Sequence, residues 1–380
     1  MKIVKGGVTK PLGFTANGVR AGIKRSGKHD LSLIFSQKAA TTAGVFTKNS
    51  IKAAPLIVSQ KHLKNNRAQA VIVNSGNANC FTGKFGLIYA ERTTQLIAKL
   101  LKIKKEDVLV TSTGIIGKPL PYNKIEAAAP ALVAGLNAKG GHLAALGIMT
   151  TDLAVKEIAV EIILDGKKVT IGGCAKGSGM IEPNMATMLG FITTDVAINA
   201  PLLKAALKEA TEKTFNCISV DGCMSTNDMV TVMANGLAGN KAITTRGKNY
   251  QKFYQALELV CRDLAKKIVI DGEGATKFIE ITVSGGKSPA QAKEAAMKIA
   301  NSPLVKTAAY GNNPNWGRVA AAVGSLGLTQ VTEETLKIKF TSFLKKDIKI
   351  LVDLHLGKHK ATVYTCDLSL EYVKINGRYN

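Results

Sequence analysis

The run "QAVIVNSG", Gln69–Gly76, limits the fold more than any other stretch of the chain. Apolar residues rich in β-branched side chains form a buried strand. The strand enters a polar loop, "NSGNANCFTG". "GLIYAERTTQLIAKLL", Gly86–Leu101, then takes helical spacing, and "EDVLVTSTGIIG", Glu106–Gly117, reads as a strand ending in a Thr/Gly loop. "NKIEAAAPALVAGL", Asn123–Leu136, reads as a helix with Pro130 an irregularity. Strands and helices go on alternating, which predicts a mixed α/β (α+β) fold with much antiparallel sheet.

Further along, "AVEIILDGKKVTIGG" predicts a hairpin, because Asp165-Gly166 tolerates the positive φ of a tight turn. "TMLGFITTDV" reads as a strand. "APLLKAALKEATEKTF" reads as a helix with Pro201 in its first turn, and "YQKFYQALELVCRDLAKKI" as a second amphipathic helix. Ser288-Pro289-Ala290-Gln291 is a capping box with Pro at the first helical position. A domain boundary is expected near residue 283, dividing a 1–282 core from a 283–380 C-terminal α/β subdomain. The last hundred residues read as helix, helix, then the strands "LKIKF", "IKILVDL" and "ATVYTCDL".

Composition narrows the class. With 380 residues, 46% of them hydrophobic, the chain can bury a large core. No apolar run approaches the ~18 residues a membrane span needs. The start, "MKIVKGGVTK", lacks an apolar leader, so a cytoplasmic protein without membrane partners is expected. The six cysteines stand singly, as reduced thiols do. His355 and His359 are four apart, but Gly357 interrupts them and they read as surface histidines; no metal is expected. The net charge of +24 raises nucleic acid as a partner. Against it, the lysines are spread along the chain and aromatic residues are only 5%, few for a base-stacking surface.

Common catalytic motifs fail on spacing. In "GGCAKGSGM" the lysine precedes Gly177-Ser178, whereas a phosphate loop needs it after the last glycine. Ser178 lacks the flanks of a nucleophile elbow. What remains is a set of Thr/Gly loops at strand ends: "TSTGIIG", "MTTD", "KGSGM" and "MATML". Ala186-Thr187, where a Pro-Asn turn meets an apolar run, has two readings. One is a loop entering a buried strand. The other is a cut before Thr187, after which its α-amine, of pKa roughly 7.7–8.0, serves its own hydroxyl as base.

Read together, the motifs "GVRAGIKRSGKHDLSLI", "TTAGVFTKNSIKAAPLIVSQKHL", "VNSGNANCFTG", "TSTGIIGKPLP", "GIMTTD", "KGSGMIEPNMATML", "VDGCMSTND", "DGEGATKFIEI", "YGNNPNWGRV" and "LEYVKIN" carry a resemblance. Over its whole length the chain resembles the ornithine acetyltransferase family (arginine biosynthesis bifunctional protein; glutamate N-acetyltransferase). The resemblance implies a layered αββα sandwich of the self-cleaving N-terminal-nucleophile aminopeptidase type. It implies cleavage between Ala186 and Thr187, giving an α chain 1–186 and a β chain 187–380. It implies ping-pong transfer through acetyl-Thr187, from N-acetylornithine to L-glutamate, with acetyl-CoA a further donor in bifunctional members and no bound cofactor. The implied assembly is an α2β2 heterotetramer.

Carried over by motif, the oxyanion hole falls on Thr113 and Gly114. Substrate contacts fall on Thr151 or Thr150 of "MTTD", on Lys176, on Thr187 itself, on Glu273 and on Asn376. Lys176 suits a substrate carboxylate and Glu273 a substrate ammonium. The chain departs from the family's pattern twice. It stops at Asn380, four residues after Asn376, where the family carries a hydroxyl residue one position later; Asn380 or the terminal carboxylate is the candidate replacement. "TTDLAVK" places Leu153 and Val155 where the family has Thr and Pro. An aminopeptidase or amidase on the same fold is the alternative function.

Overall fold

The computed structural model describes residues 1–182 and 188–378 and divides into two compact units. The first comprises Met1–Gly177, Asn184–Asn216 and Met224–Leu264. The second comprises Ser178–Pro183, Cys217–Cys223 and Ala265–Asn380.

The first unit runs β1 (Lys2–Val4), β2 (Phe14–Val19), β3 (Leu31–Phe46), α1 (Ala54–His62), β4 (Arg67–Asn77), α2 (Gly83–Leu101), β5 (Val108–Ile115), α3 (Tyr122–Ala134), α4 (Gly141–Ile148), β6 (Lys156–Leu164), β7 (Lys167–Lys176), β8 (Leu189–Thr194), α5 (Ala200–Lys213), β9 (Met229–Ala234) and α6 (Lys248–Ile270), which continues into the second unit. Its strands order as β1-β6-β7-β8-β9-β3-β4-β5, with β2 also paired to β3. β3 makes this continuous. Its first half pairs with β2 and β4, its second with β9, and its register against β4 shifts between Phe35 and Ala40. An irregularity of this kind bends a strand.

Alternation along β4 and β5 then assigns the layers. Val71, Val73 and Leu109 join Cys174, Leu189, Phe191, Met229 and Met233 of β7, β8 and β9 in one buried cluster. Ala70, Ile72, Val108 and Val110 point the other way, onto Ile97 of α2 and Ile125 and Leu132 of α3. On the far side a Cβ placed on Gly173 of β7 would stand 3.0 Å from Leu264 and 3.1 Å from Val260 of α6. Helix, sheet, sheet and helix thus stack as an αββα sandwich, the predicted fold. Strands buried on both faces must be apolar at nearly every position, which is why "AVIV" stands where it does.

The second unit runs β10 (Phe278–Gly286), α7 (Pro289–Ala300), α8 (Pro303–Tyr310), α9 (Trp316–Gly324), β11 (Lys337–Phe340), β12 (Asp347–Asp353), β13 (His359–Cys366) and α10 (Leu370–Gly377). Its sheet is ordered β11-β12-β10-β13, with Ile279, Ile281, Val283, Ile348, Ile350 and Val352 facing Ala296, Ile299 and Val323 in one core.

Local signals placed most elements. The hairpin turns at Asp165 (φ 46°) and Gly166 (φ 75°), with Leu164 opposite Lys167. Ser288 caps α7 by accepting from the Gln291 N–H at 3.1 Å, and Gln291 returns a bond to the Lys287 N–H at 2.8 Å. Pro130 does not break α3, which runs through it. All six cysteines are free thiols. Among the described residues no helix is long and apolar enough to cross a membrane.

Candidate active site

In the first unit the C-terminal ends of β5 and β7 converge on Lys176. Its Nζ donates to Thr150 Oγ1 at 2.8 Å and to Thr113 Oγ1 at 3.3 Å. Asp152 Oδ2 lies 4.0 Å from the same nitrogen. Asp152 is the hub. Its Oδ1 accepts from Lys156 Nζ at 2.7 Å and from the Gly177 N–H at 2.7 Å, and its Oδ2 from the Thr150 N–H at 2.9 Å. One buried carboxylate thereby ties the turn before β6 to the end of β7. Burial alone would raise the Asp152 pKa, but the charges of Lys176 and Lys156 and these hydrogen bonds outweigh it and hold the acid well below the usual carboxylate range. Two lysines share one aspartate, so the three groups carry one net positive charge in a poorly hydrated place. That suits an anion.

Thr113 is buried, and its hydroxyl, holding the Lys176 N–H on a lone pair, keeps its own O–H for another acceptor. Gly114, beside it, has φ 130°; a Cβ there would meet the Gly76 carbonyl carbon at 2.5 Å, so only glycine fits. Gly76 is its register partner across the parallel β4–β5 pair. Thr151 lies half-buried next to Thr150. Of the two departures in "TTDLAVK", Leu153 is exposed and Val155 packs on the core.

Another buried carboxyl in this unit, Asp228, directly precedes β9. β8 and β9 are parallel with Leu189 opposite Met229, and the Met229 N–H reaches the Met188 carbonyl at 3.1 Å. Met188, the residue just before β8, is therefore fastened beside Asp228. Asp228 Oδ2 has no hydrogen-bond partner among the described residues. Burial raises the Asp228 pKa well above the ordinary value; contacts from Ser225, Met188 and Thr47 and the charge of Lys176 only partly offset it. Asp152 and Asp228 are thus driven in opposite directions.

In the second unit Glu273 is buried and its Oε2 accepts from Asn376 Nδ2 at 2.7 Å. Its N–H is held by the Ser178 carbonyl at 2.8 Å, and its carboxylate covers Gly179, where a Cβ would clash at 2.3 Å. Gly274 (φ 68°) lets α10 approach: a Cβ would come within 2.5 Å of the Tyr372 nitrogen. Tyr372 in turn donates to Asp221 at 3.3 Å, and Asp221 accepts the N–H groups of Met180 and Ile181 at 2.6 and 2.8 Å. Burial, then the nearby acids Asp221 and Glu273 with Cys223, push the Tyr372 phenol up, so it stays a donor.

Thr113, Gly114, Thr150 and Lys176 are thus gathered in one unit, and Glu273 with Asn376 in the other. Ala186, Thr187 and Asn380 lie outside the described residues. Sequence reasoning overlooked Asp152, Lys156 and Asp228. The first two stood inside the quoted "TTDLAVK", four apart, and the third inside the quoted "VDGCMSTND".

A model of the ArgJ family matches residues 15–380. Over 402 aligned positions the chain is 46% identical to the arginine biosynthesis bifunctional protein ArgJ of Caldanaerobacter subterraneus subsp. tengcongensis, covering 100% of both. It is 46% identical to the protein of the same name from Geobacter sulfurreducens, over 97% of this chain and 98% of that one. A solved structure, ornithine acetyltransferase complexed with ornithine from Mycobacterium tuberculosis, is 41% identical with a TM-score of 0.46, covering 49% of this chain and 99% of that chain. The chain belongs to the ArgJ family.

Proposed function

We propose that this chain is an ornithine acetyltransferase of arginine biosynthesis that moves acetyl from N-acetylornithine to glutamate, with acetyl-CoA a second donor. Membership in the ArgJ family supports the reaction, and the relatives named above are called bifunctional. The chain cleaves itself between Ala186 and Thr187 into chains 1–186 and 187–380, which assemble as α2β2 in the cytoplasm.

The Thr187 hydroxyl then attacks the acetamide carbonyl of the donor. Its proton passes to the Thr187 α-amine and on to the departing ornithine nitrogen; the acetyl stays as an ester. The amine of glutamate attacks that ester and restores the hydroxyl. In both steps the oxyanion is held by the Thr113 O–H and the Gly114 N–H, donors worth a few kcal/mol of barrier each. Lys176 takes the substrate carboxylate, with Thr150 or Thr151 beside it. Glu273, ordered by Asn376, takes a substrate ammonium. Asn380 is the candidate for the remaining contact.

The observation that carries this reading is the 3.3 Å bond between Lys176 and Thr113. A cation for the substrate and a donor for the oxyanion are held by the same contact. Supplying N-acetylornithine without glutamate tests it: acetyl should be trapped on the peptide that begins at Thr187, and glutamate should discharge it as N-acetylglutamate. Steady acetate release without glutamate would favour a hydrolase instead.

A further inference from the structure

Glutamate carries two carboxylates and N-acetylornithine one. Lys176 answers the carboxylate common to both, which leaves the acceptor's second carboxylate without a cation in the reading above. Lys24 has the placement for it. It lies in the segment between β2 and β3, and its Cγ stands 2.9 Å from where a Cβ on Gly76 would be. Gly76 is the register partner of Gly114, the glycine of the oxyanion loop. The Lys24 chain therefore passes over Gly76, where a side chain on β4 would block it.

Its ammonium is under-used. Nζ donates to the His29 carbonyl at 2.6 Å, and among the described residues it forms no ion pair. The carboxylate that acts on it most strongly, Asp30, is committed to three backbone N–H groups, those of Ala21 at 2.6 Å, Ile23 at 2.6 Å and Lys24 itself at 2.9 Å. A partly buried ammonium with three N–H groups and a single neutral acceptor invites an anion.

We propose that Lys24 receives the side-chain carboxylate of the acceptor glutamate and so sets acceptor choice. The inference rests on the acetyl-transfer reading and adds a residue to it. Charge supports it. Burial pulls the Lys24 pKa down and Asp30 pulls it back; Lys176 and Lys28 lower it further and Asp152 raises it, leaving it at about 8. Such a lysine is mostly charged at pH 7, yet it sheds its proton cheaply when the ornithine side chain, itself a cation, must pass. Above pH 8 the neutral form dominates. The kcat/KM for glutamate should therefore fall as pH rises through about 8, beyond any fall shared by the donor step.

The test measures the two half-reactions separately on the self-processed enzyme, ornithine release from N-acetylornithine and discharge of the acetyl-enzyme by glutamate. Lys24→Met should lower the ratio of acceptor to donor kcat/KM by at least about tenfold and remove the extra alkaline limb. Lys24→Arg, which keeps the cation but cannot shed its proton, should restore most of the acceptor step and slow the donor step. A Lys24→Met ratio unchanged within about threefold, or equal losses in both steps, overturns the inference while the unaltered enzyme still transfers acetyl. An unaltered enzyme that transfers none overturns the functional reading and this inference with it.

Discussion

Asp152, Lys156 and Lys176 in the first unit stand on or beside the β6–β7 pair, and the side chains of Asp152 and Lys156 are 0% and 1% exposed. Glu273 and Asn376 in the second stand on a loop and on α10, a helix with no buried residue. Both groups hold buried charge, but on different supports. The first is tied to the Thr150 and Gly177 N–H groups, in the turn before β6 and just past the end of β7, so its geometry is fixed before any ligand arrives. The second is held by the Asn376 amide, which donates to Glu273 and to the Tyr372 carbonyl, by the Glu273 N–H on the Ser178 carbonyl and by close glycine contacts. Removing its charge should alter binding and leave the fold alone.

The largest expected effect breaks the first group. Asp152→Ala strands two lysines in a buried site and should cost about 3–5 kcal/mol of stability, read by chemical denaturation, with loss of transfer. Glu273→Gln keeps an oxygen for Asn376 and should leave the denaturation midpoint nearly unchanged while raising KM about tenfold. Equal destabilisation by both would erase the distinction between the two supports.

A next test uses two of the buried aspartates of the first unit, Asp152 and Asp228. The folded Asp152 pKa is depressed, so its contribution is full above the unfolded value of about 3.9 and is lost as pH falls below it. The folded Asp228 pKa is raised, so the native state keeps a proton that the unfolded chain gives up above about 3.9, and stability drains away as pH rises from there towards that raised value. Denaturation measured against pH should show Asp152→Asn losing the acid-side drop and Asp228→Asn losing the opposite slope. At neutral pH the first variant should be less stable than the parent, and the second as stable or more so. The smallest effect is expected from Asn376→Ala: KM up by about threefold and stability within about 0.5 kcal/mol.

Much of the fold was legible because the sequence is locally consistent. "AVIV" required a buried strand, Asp165-Gly166 a tight turn, and Ser288 to Gln291 a helix start, and each is found. The bend of β3 was not legible. It depends on residues 41–46 pairing with 229–234, nearly two hundred positions away, and no local pattern announces such a pairing. Nor could a linear reading gather 178–183 and 217–223 with the C-terminal residues into one unit. Thr113, Thr150 and Lys176 entered through motifs. Asp152 was missed as the hub because an aspartate's role depends on which N–H groups fold around it. Lys24 was hidden among 51 lysines and arginines, and only its place over Gly76 distinguishes it.

The most direct test of the account is an intact-mass measurement on the purified, active protein. The account predicts two polypeptides, residues 1–186 and 187–380, with Thr187 at the second N-terminus and an acetyl on it when N-acetylornithine is the only substrate present. A single 380-residue chain that transfers acetyl from N-acetylornithine to glutamate at full rate would contradict it.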